Sequence, residues 1–450
     1  MPQLNKRRLV SFVLAMAVSA VVSAFGFSRG HDEPDRVEAV KTSAAKIKHV
    51  FVIVLENKNF DDTFGTSTQD PYLQKTLVPM GALLRQYYGT GHVSLDNYLS
   101  MISGQAATQD TDNDCMSELN SAMPNYNDVN QIGTTPDGQV IAKGGCIYGK
   151  EIKTLPEQLV ERGLTWKGYM EDMGNDPARE SATCGHPKIG SATDGTSAFE
   201  APSAAVPLGD GYATRHNPFV YFHSIIDSPS CATNVVNLNQ LPADLETLET
   251  TPNYVFITPN LCHDGHDGSG TGEKGKTCVN GEPGGLTSAD AFLKNWVLKI
   301  LASRAYQQDG LIVITFDEGN YTLSSKSDPA TGQNIVDITF PGESCCGQLP
   351  GPNLDGVRPS RHTFVNTPTL VRSFVINGFG GDRIGAVLLS PFVKPGTVSD
   401  TPYNHYSLLR SLEDIFRLKG HLGYAANQPE AHYVLKTIGD DQDVFQARGK

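Results

Sequence analysis

The sequence predicts an α/β fold, a three-layer α/β/α sandwich around a mainly parallel central sheet. Three observations lead there. Uninterrupted apolar runs rich in β-branched residues, at 50–55 and 311–316, read as strands buried on both faces, the kind found in parallel sheets. Helical patterns alternate with such runs, as in crossover units. Each of these two strands also ends in a polar pair, Glu56-Asn57 and Asp317-Glu318, at the carboxyl edge where open α/β sheets bind ligands.

In chain order, Lys6, Arg7 and Arg8 precede an apolar stretch at 9–27 that ends in small residues, the three regions of an export signal. Read as a signal, residues 1–27 are removed and the chain is periplasmic or secreted; read as an uncleaved anchor, they hold it at a membrane. Residues 28–47 are polar and charged, a tether, and 48–450 form a single domain with long loop insertions. A helix is predicted from Leu155, after Thr154 and with Pro156 in its first turn, leading into a strand at 164–169. Trp166 and Tyr169 in that strand read as core. Residues 254–258 and 386–389 give further strands. Thr287 with Asp290 has the spacing of a capping box, and Phe292, Trp296 and Ile300 then share a helical face. Tyr406, Leu409, Leu412 and Phe416 mark a last helix. The Gly-, Asn- and Asp-rich stretches 104–150, 176–214, 262–286 and 324–360 read as loops inserted at the sheet's edges.

Composition narrows the partners. A net charge of −13 without a basic cluster argues against nucleic acid, no protein partner is indicated, and a small molecule is expected. P-loop, GxSxG and GxGxxG motifs are absent at strand–helix turns, so no nucleotide cofactor is indicated. In an oxidising compartment the eight cysteines default to disulfides. Local spacing favours Cys262 with Cys278, then Cys115 with Cys146, and adjacent Cys345 and Cys346 read as bridging to different partners more easily than to each other.

The two polar pairs bring four hard donors together, Glu56, Asn57, Asp317 and Glu318. They suit Mg²⁺, Ca²⁺ or Mn²⁺, although carboxylates also hold Zn²⁺. Either pair alone could instead cap a helix or form a salt bridge. Four segments carry a resemblance. Glu56-Asn57-Lys58-Asn59-Phe60-Asp61 with Phe64-Gly65 resembles ENxSFDxxFG. Gly91 to Tyr98 (GHVSLDNY) with Ser103-Gly104 resembles HPSLPNY…SG. Ile257-Thr258-Pro259-Asn260 with His263-Asp264-Gly265-His266-Asp267 resembles ITPN…DGHD, and Asp317-Glu318 matches the second acidic pair. In this order the segments resemble the bacterial phosphoesterase family of phospholipases C and acid phosphatases, a branch of the alkaline-phosphatase-like superfamily. Asn59, Val93 and Asp96 depart from its serine and two prolines.

The resemblance implies an alkaline-phosphatase-like sandwich and a metal-dependent phosphoric-ester hydrolase, a phosphomonoesterase of acid-phosphatase type or, alternatively, a phospholipase C. A small phosphate ester, including a phospholipid, is the expected substrate. Ser94 would be the nucleophile of a phosphoseryl intermediate, because a hydroxyl needs a metal or base beside it to attack phosphorus. The plainer role for Ser94 is the N-cap of a helix over 95–102. His266 is the preferred general acid, with His263 beside it, and either could instead brace a surface loop. His92, Asn97, Arg215, His216 and Asp264 are candidate phosphate contacts, with a surface ion pair the simpler role for Arg215. The non-catalytic alternative is a cell-surface binding module.

Overall fold

Every residue of the first strand, β1 (His49–Leu55), is buried, as its unbroken apolar run predicts. In chain order the strands after it are β2 (Ala82–Leu84), β3 (Trp166–Met170), β4 (Val235–Asn237), β5 (Tyr254–Thr258) and β6 (Gly310–Phe316). Next come β7 (Thr322–Asp328), β8 (Gln333–Phe340), β9 (Ser360–Thr367) and β10 (Leu370–Ile376). The last strands of the two main sheets are β11 (Ala386–Leu389) and β12 (Thr397–Ser399). The structure, a computed structural model, describes residues 43–66, 69–115, 126–191, 198–352, 354, 358–427 and 435–445. The expected signal and the tether up to residue 42 lie outside the described residues. All described residues belong to one compact unit, 41–450.

The central sheet has eight strands in the order β12-β2-β11-β6-β1-β5-β3-β4. β6, β1, β5, β3 and β4 run parallel, while β11 is antiparallel to β6 and β2. This is the mainly parallel α/β sheet that the sequence predicts. Its apolar side chains merge into one large cluster, which takes in Trp166, Tyr169, Phe292, Trp296 and Ile300 as expected. The folded unit also begins earlier than the tether's predicted end: Ala44 and Ile47 are buried in that cluster.

The four longest α-helices among the described residues are α1 (Ser94–Ser103), α2 (Leu155–Glu161), α3 (Gly285–Ala302) and α4 (His405–Phe416). α2 starts as predicted, with Thr154 and Glu157 capping each other reciprocally. The predicted capping box at the start of α3 does not form. That helix begins three residues earlier, with Gly284 as its N-cap, and Asp290 accepts instead from the backbone N–H groups of Tyr72 (3.0 Å) and Leu73 (2.8 Å), capping another segment. Ser94 is likewise not an N-cap: Val93 holds that position, and Ser94 is the first helical residue. Val93 sits at φ +70°, which proline cannot adopt and which costs a β-branched residue about 1–3 kcal/mol. A proline could not hold the turn that presents Ser94 in this conformation.

The stretch 324–360 is not a plain loop. Much of it falls in a second, four-stranded sheet, β7-β8-β10-β9, which sequence patterning conceals because β7 is exposed at nearly every position and has no buried face to mark. A hairpin, Gln131–Thr134 with Val140–Ala142, likewise lies inside 104–150. All eight cysteines are paired: Cys115–Cys146, Cys184–Cys231, Cys262–Cys278 and Cys345–Cys346. The adjacent pair joins to itself, contrary to expectation, because the other six close bridges among themselves and leave these two no other thiol.

Candidate active site

Register brings the two acidic pairs together. Leu55 and Phe316 are partners across the parallel strands β1 and β6, so Glu56 and Asp317 emerge side by side. The backbone N–H of Glu56 donates to the carbonyl of Asp264 (2.8 Å), which ties the loop after β5 to the same edge. All three carboxylates are buried. Burial, then the neighbouring charges of Asp317 and Asp264, hold the Glu56 carboxyl well above its ordinary range. Burial, then Asp267, does the same to Asp264, and burial raises Asp317.

Ser94 points its hydroxyl at this group. Its Oγ donates to Glu56 Oε2 at 2.9 Å, and one helical turn on, the Tyr98 hydroxyl donates to Glu56 Oε1. Tyr98 is not among the sequence-predicted candidates, although its i,i+4 spacing from Ser94 puts both on one face of α1. His216 stacks on Tyr98 with ring centroids 5.3 Å apart. Its Nε2 lies 3.5 Å from Glu56 Oε2 and its Nδ1 3.9 Å from Asp264 Oδ2. Burial, then the charges of Arg215 and His266, keep this imidazole well below its usual pKa and hence neutral. Asp317 Oδ2, Asp264 Oδ2 and both ring nitrogens of His216 are buried without a hydrogen-bond partner. Such groups are costly unless something outside the chain satisfies them.

The second members of the acidic pairs are placed differently. Asn57, at φ +43°, donates its backbone N–H to Asp317 Oδ1 (3.0 Å) and its amide to Glu318 Oε1 (2.8 Å). Glu318 Oε2 accepts from His92, whose other nitrogen meets Asp382 Oδ2 at 3.0 Å. Burial alone would lower the His92 pKa, but Glu318 and Asp382 override it and raise it to about 10. Burial raises Glu318 to about 7 against the His92 charge. Asp382, 290 residues from His92 in sequence, gave no sequence signal.

The remaining candidates divide. Asn97 accepts from the backbone of Thr90 (2.7 Å) and Gly91 (3.1 Å) and donates to the Gly91 carbonyl, so it stitches a turn and does not face a ligand. Arg215 lies 3.4 Å from Asp114, whose other oxygen caps Leu95 N–H at the start of α1. His266, about a third exposed, lies 3.2 Å from Asp267 and donates its backbone N–H to Asp264. His263 turns away from this group: its two nitrogens meet Glu171 (3.0 Å) and Glu282 (2.7 Å).

A family model described as the phosphoesterase family matches residues 67–419. The chain is similar to a probable acid phosphatase of Kluyveromyces lactis, 23% identical over 283 residues, which is 63% of this chain and 50% of that protein. An acid phosphatase of Aspergillus fumigatus is 22% identical over 311 residues, 69% and 52%. A phosphatidylinositol-3-phosphatase of Mycobacterium tuberculosis is 22% identical over 428 residues, 95% and 96%. The chain thus spans about half the length of the two fungal relatives.

Proposed function

We propose, from the premise that this chain belongs to the phosphoesterase family, that it hydrolyses phosphoric monoesters through a phosphoseryl intermediate on Ser94. The observation that carries this reading is the Ser94 hydroxyl, held at the start of a helix and hydrogen-bonded at 2.9 Å to a buried carboxylate. The helix start favours an anion, and the carboxylate is a ready proton acceptor.

A divalent cation suits the donor set. Three buried carboxylates and a neutral imidazole, four of whose atoms lack partners, match a hard cation. Among the described residues no three His, Cys, Asp or Glu are grouped closely enough to share one ion, so the fit rests on donor chemistry. Asp317, Asp264 and His216, whose outer atoms lack partners, would hold it, beside Glu56, whose oxygens accept from Ser94 and Tyr98. Asn57 and Glu318, the other two expected ligands, brace the site from their bonds to each other and His92, and Glu318 would join only by leaving His92. When bound, such an ion neutralises charge on the phosphoryl group and favours the serine alkoxide.

The chain's own groups carry the protons. Glu56 Oε2 takes the Ser94 proton as Oγ bonds to phosphorus and the bond from phosphorus to the alcohol oxygen breaks. His266, at the exposed side, gives its proton to that departing oxygen. Water then bonds to phosphorus and gives one proton to His266, while the bond from phosphorus to Oγ breaks and Ser94 takes its proton back from Glu56. Positioning and charge neutralisation do most of the work in such a transfer. The mycobacterial relative matched over nearly its whole length is named as acting on a phosphorylated lipid; that favours a lipid head-group monoester as a second substrate. Four disulfides fit export to an oxidising compartment.

Release of p-nitrophenol from its phosphate monoester, with and without chelator, beside Ser94→Ala, tests the reading. Turnover that needs both the cation and Ser94 is expected. Turnover of only the phosphorylcholine diester would move the assignment to a phospholipase C. No turnover of either ester by the unmodified chain, across pH and divalent metals, would leave the binding module.

A further inference from the structure

We propose that the cavity on the far side of the loop after β5 is a binding site for a small organic ammonium ion. The site lies outside the hydrolytic group and does not depend on it. In the segment from Asn260 to Asp267, Asp264 faces His216 and Glu56, whereas the ring of His263 turns the opposite way, toward Phe292 of α3 at 6.1 Å. That side carries a partly open cavity of about 330 Å³, lined by Glu171, His263, Glu282, Phe292, Asn295 and Trp296.

Charge selects the ligand's sign. Both oxygens of Glu171 lie 3.0 Å from His263 Nδ1, and Glu282 Oε2 lies 2.7 Å from Nε2. Two carboxylates against one imidazole leave the lining negative whether or not the histidine is protonated, since Lys299, the cation on the indole, is not part of that lining, so a cation is favoured over an anion. The wall selects its character. Phe292 and Trp296 present aromatic faces, with centroids 6.2 Å apart, and aromatic faces attract organic cations. The indole already accepts one, since the Lys299 ammonium stands 4.0 Å from its centroid. A hydrated inorganic ion gains little from such a wall, whereas an ammonium carrying an apolar arm uses both the acid and the rings. The rim is fixed in place: Cys262–Cys278 closes the loop that carries His263, and Glu282 follows four residues later.

The test is a titration of the full chain with benzylammonium and with its neutral counterpart benzyl alcohol, followed by calorimetry and tryptophan fluorescence. Of the two tryptophans, Trp166 is buried against Phe219 and Trp296 lines the cavity, so Trp296→Phe should remove the fluorescence change. The charged probe is expected to bind at least about tenfold tighter than the neutral one, and Glu282→Gln to weaken it by a similar factor. Equal affinity for the two probes, or no heat from either, overturns the site. So does unchanged affinity in a folded Glu282→Gln chain, which would put the ion among the carboxylates around Ser94 instead. The comparison of probes on the unmodified chain decides the question even if that variant fails to fold.

Discussion

Two acidic groups stand a few residues apart at the edge of one sheet and are treated in opposite ways. Around Glu318, an imidazolium lies between two carboxylates, and Asn57 takes the last oxygen. Around Glu56, three carboxylates face one another and a neutral imidazole, with no cationic side chain bonded among them. The first group is balanced by its own residues. The second has the charges of Lys58 and Arg215 near it but no cation bonded to its carboxylates, so protons or a cation from outside complete its balance, and that separates this brace from the hydrolytic group.

Removing the brace's counter-charge should have the largest effect on stability. His92→Ala leaves Glu318 and Asp382 buried without a cation and is expected to cost about 3–5 kcal/mol, read as a fall in the thermal midpoint of the chelated protein. Asp264→Asn should act in the opposite direction on the other group, stabilising the chelated protein by about 1–3 kcal/mol, read as a rise in that midpoint, while weakening metal affinity in a calorimetric titration. If both substitutions destabilise alike, the two groups are not different in kind.

Acidity probes the same contrast. Glu56, Asp264 and Asp317 have folded-state pKa values raised above their unfolded ones, and burial also lifts Asp172 to about 7 and Glu413 to about 8. A raised carboxyl binds its proton more tightly in the folded chain, so its stabilisation is complete below the unfolded pKa and is lost as pH climbs through the folded value. The chelated protein should therefore lose at least about 1.4 kcal/mol between pH 5 and pH 8, and a divalent cation should flatten that slope. A melt more stable at pH 8 than at pH 5 without metal would contradict the unpaired reading. The smallest effect is expected from Tyr98→Phe, which removes one donor from Glu56. Stability should move by about 1 kcal/mol, and monoester turnover should fall about tenfold at unchanged metal affinity.

The strands that centre the sheet were legible because burial on both faces leaves a run of apolar letters, as in β1 and β6. The second sheet was not, since a strand exposed at nearly every position, such as β7, spells TLSSKSD. The same limit shaped the site. Glu56, Ser94 and Asp317 were readable from local motifs and stand close together, while Asn57 and Glu318 bond to each other. His263 shares its motif with His266, yet its ring is claimed by Glu171 and Glu282, two residues whose proximity no spacing encodes. Asp290 shows why a capping box is only a local expectation: its oxygens had partners more than 200 residues away.

The bridge from Cys262 to Cys278 makes the order of events in the life of the chain matter. Its ring of about sixteen residues encloses His263, Asp264 and His266, and closing such a ring removes disorder worth about 3 kcal/mol from the unfolded chain. While the thiols remain reduced, nothing covalent gathers that segment, and Asp264 must be driven toward two other carboxylates by packing alone. Oxidation of this one pair therefore lowers the cost of gathering the acidic group, and a chain with Cys262 and Cys278 reduced should hold Asp264 in place less firmly.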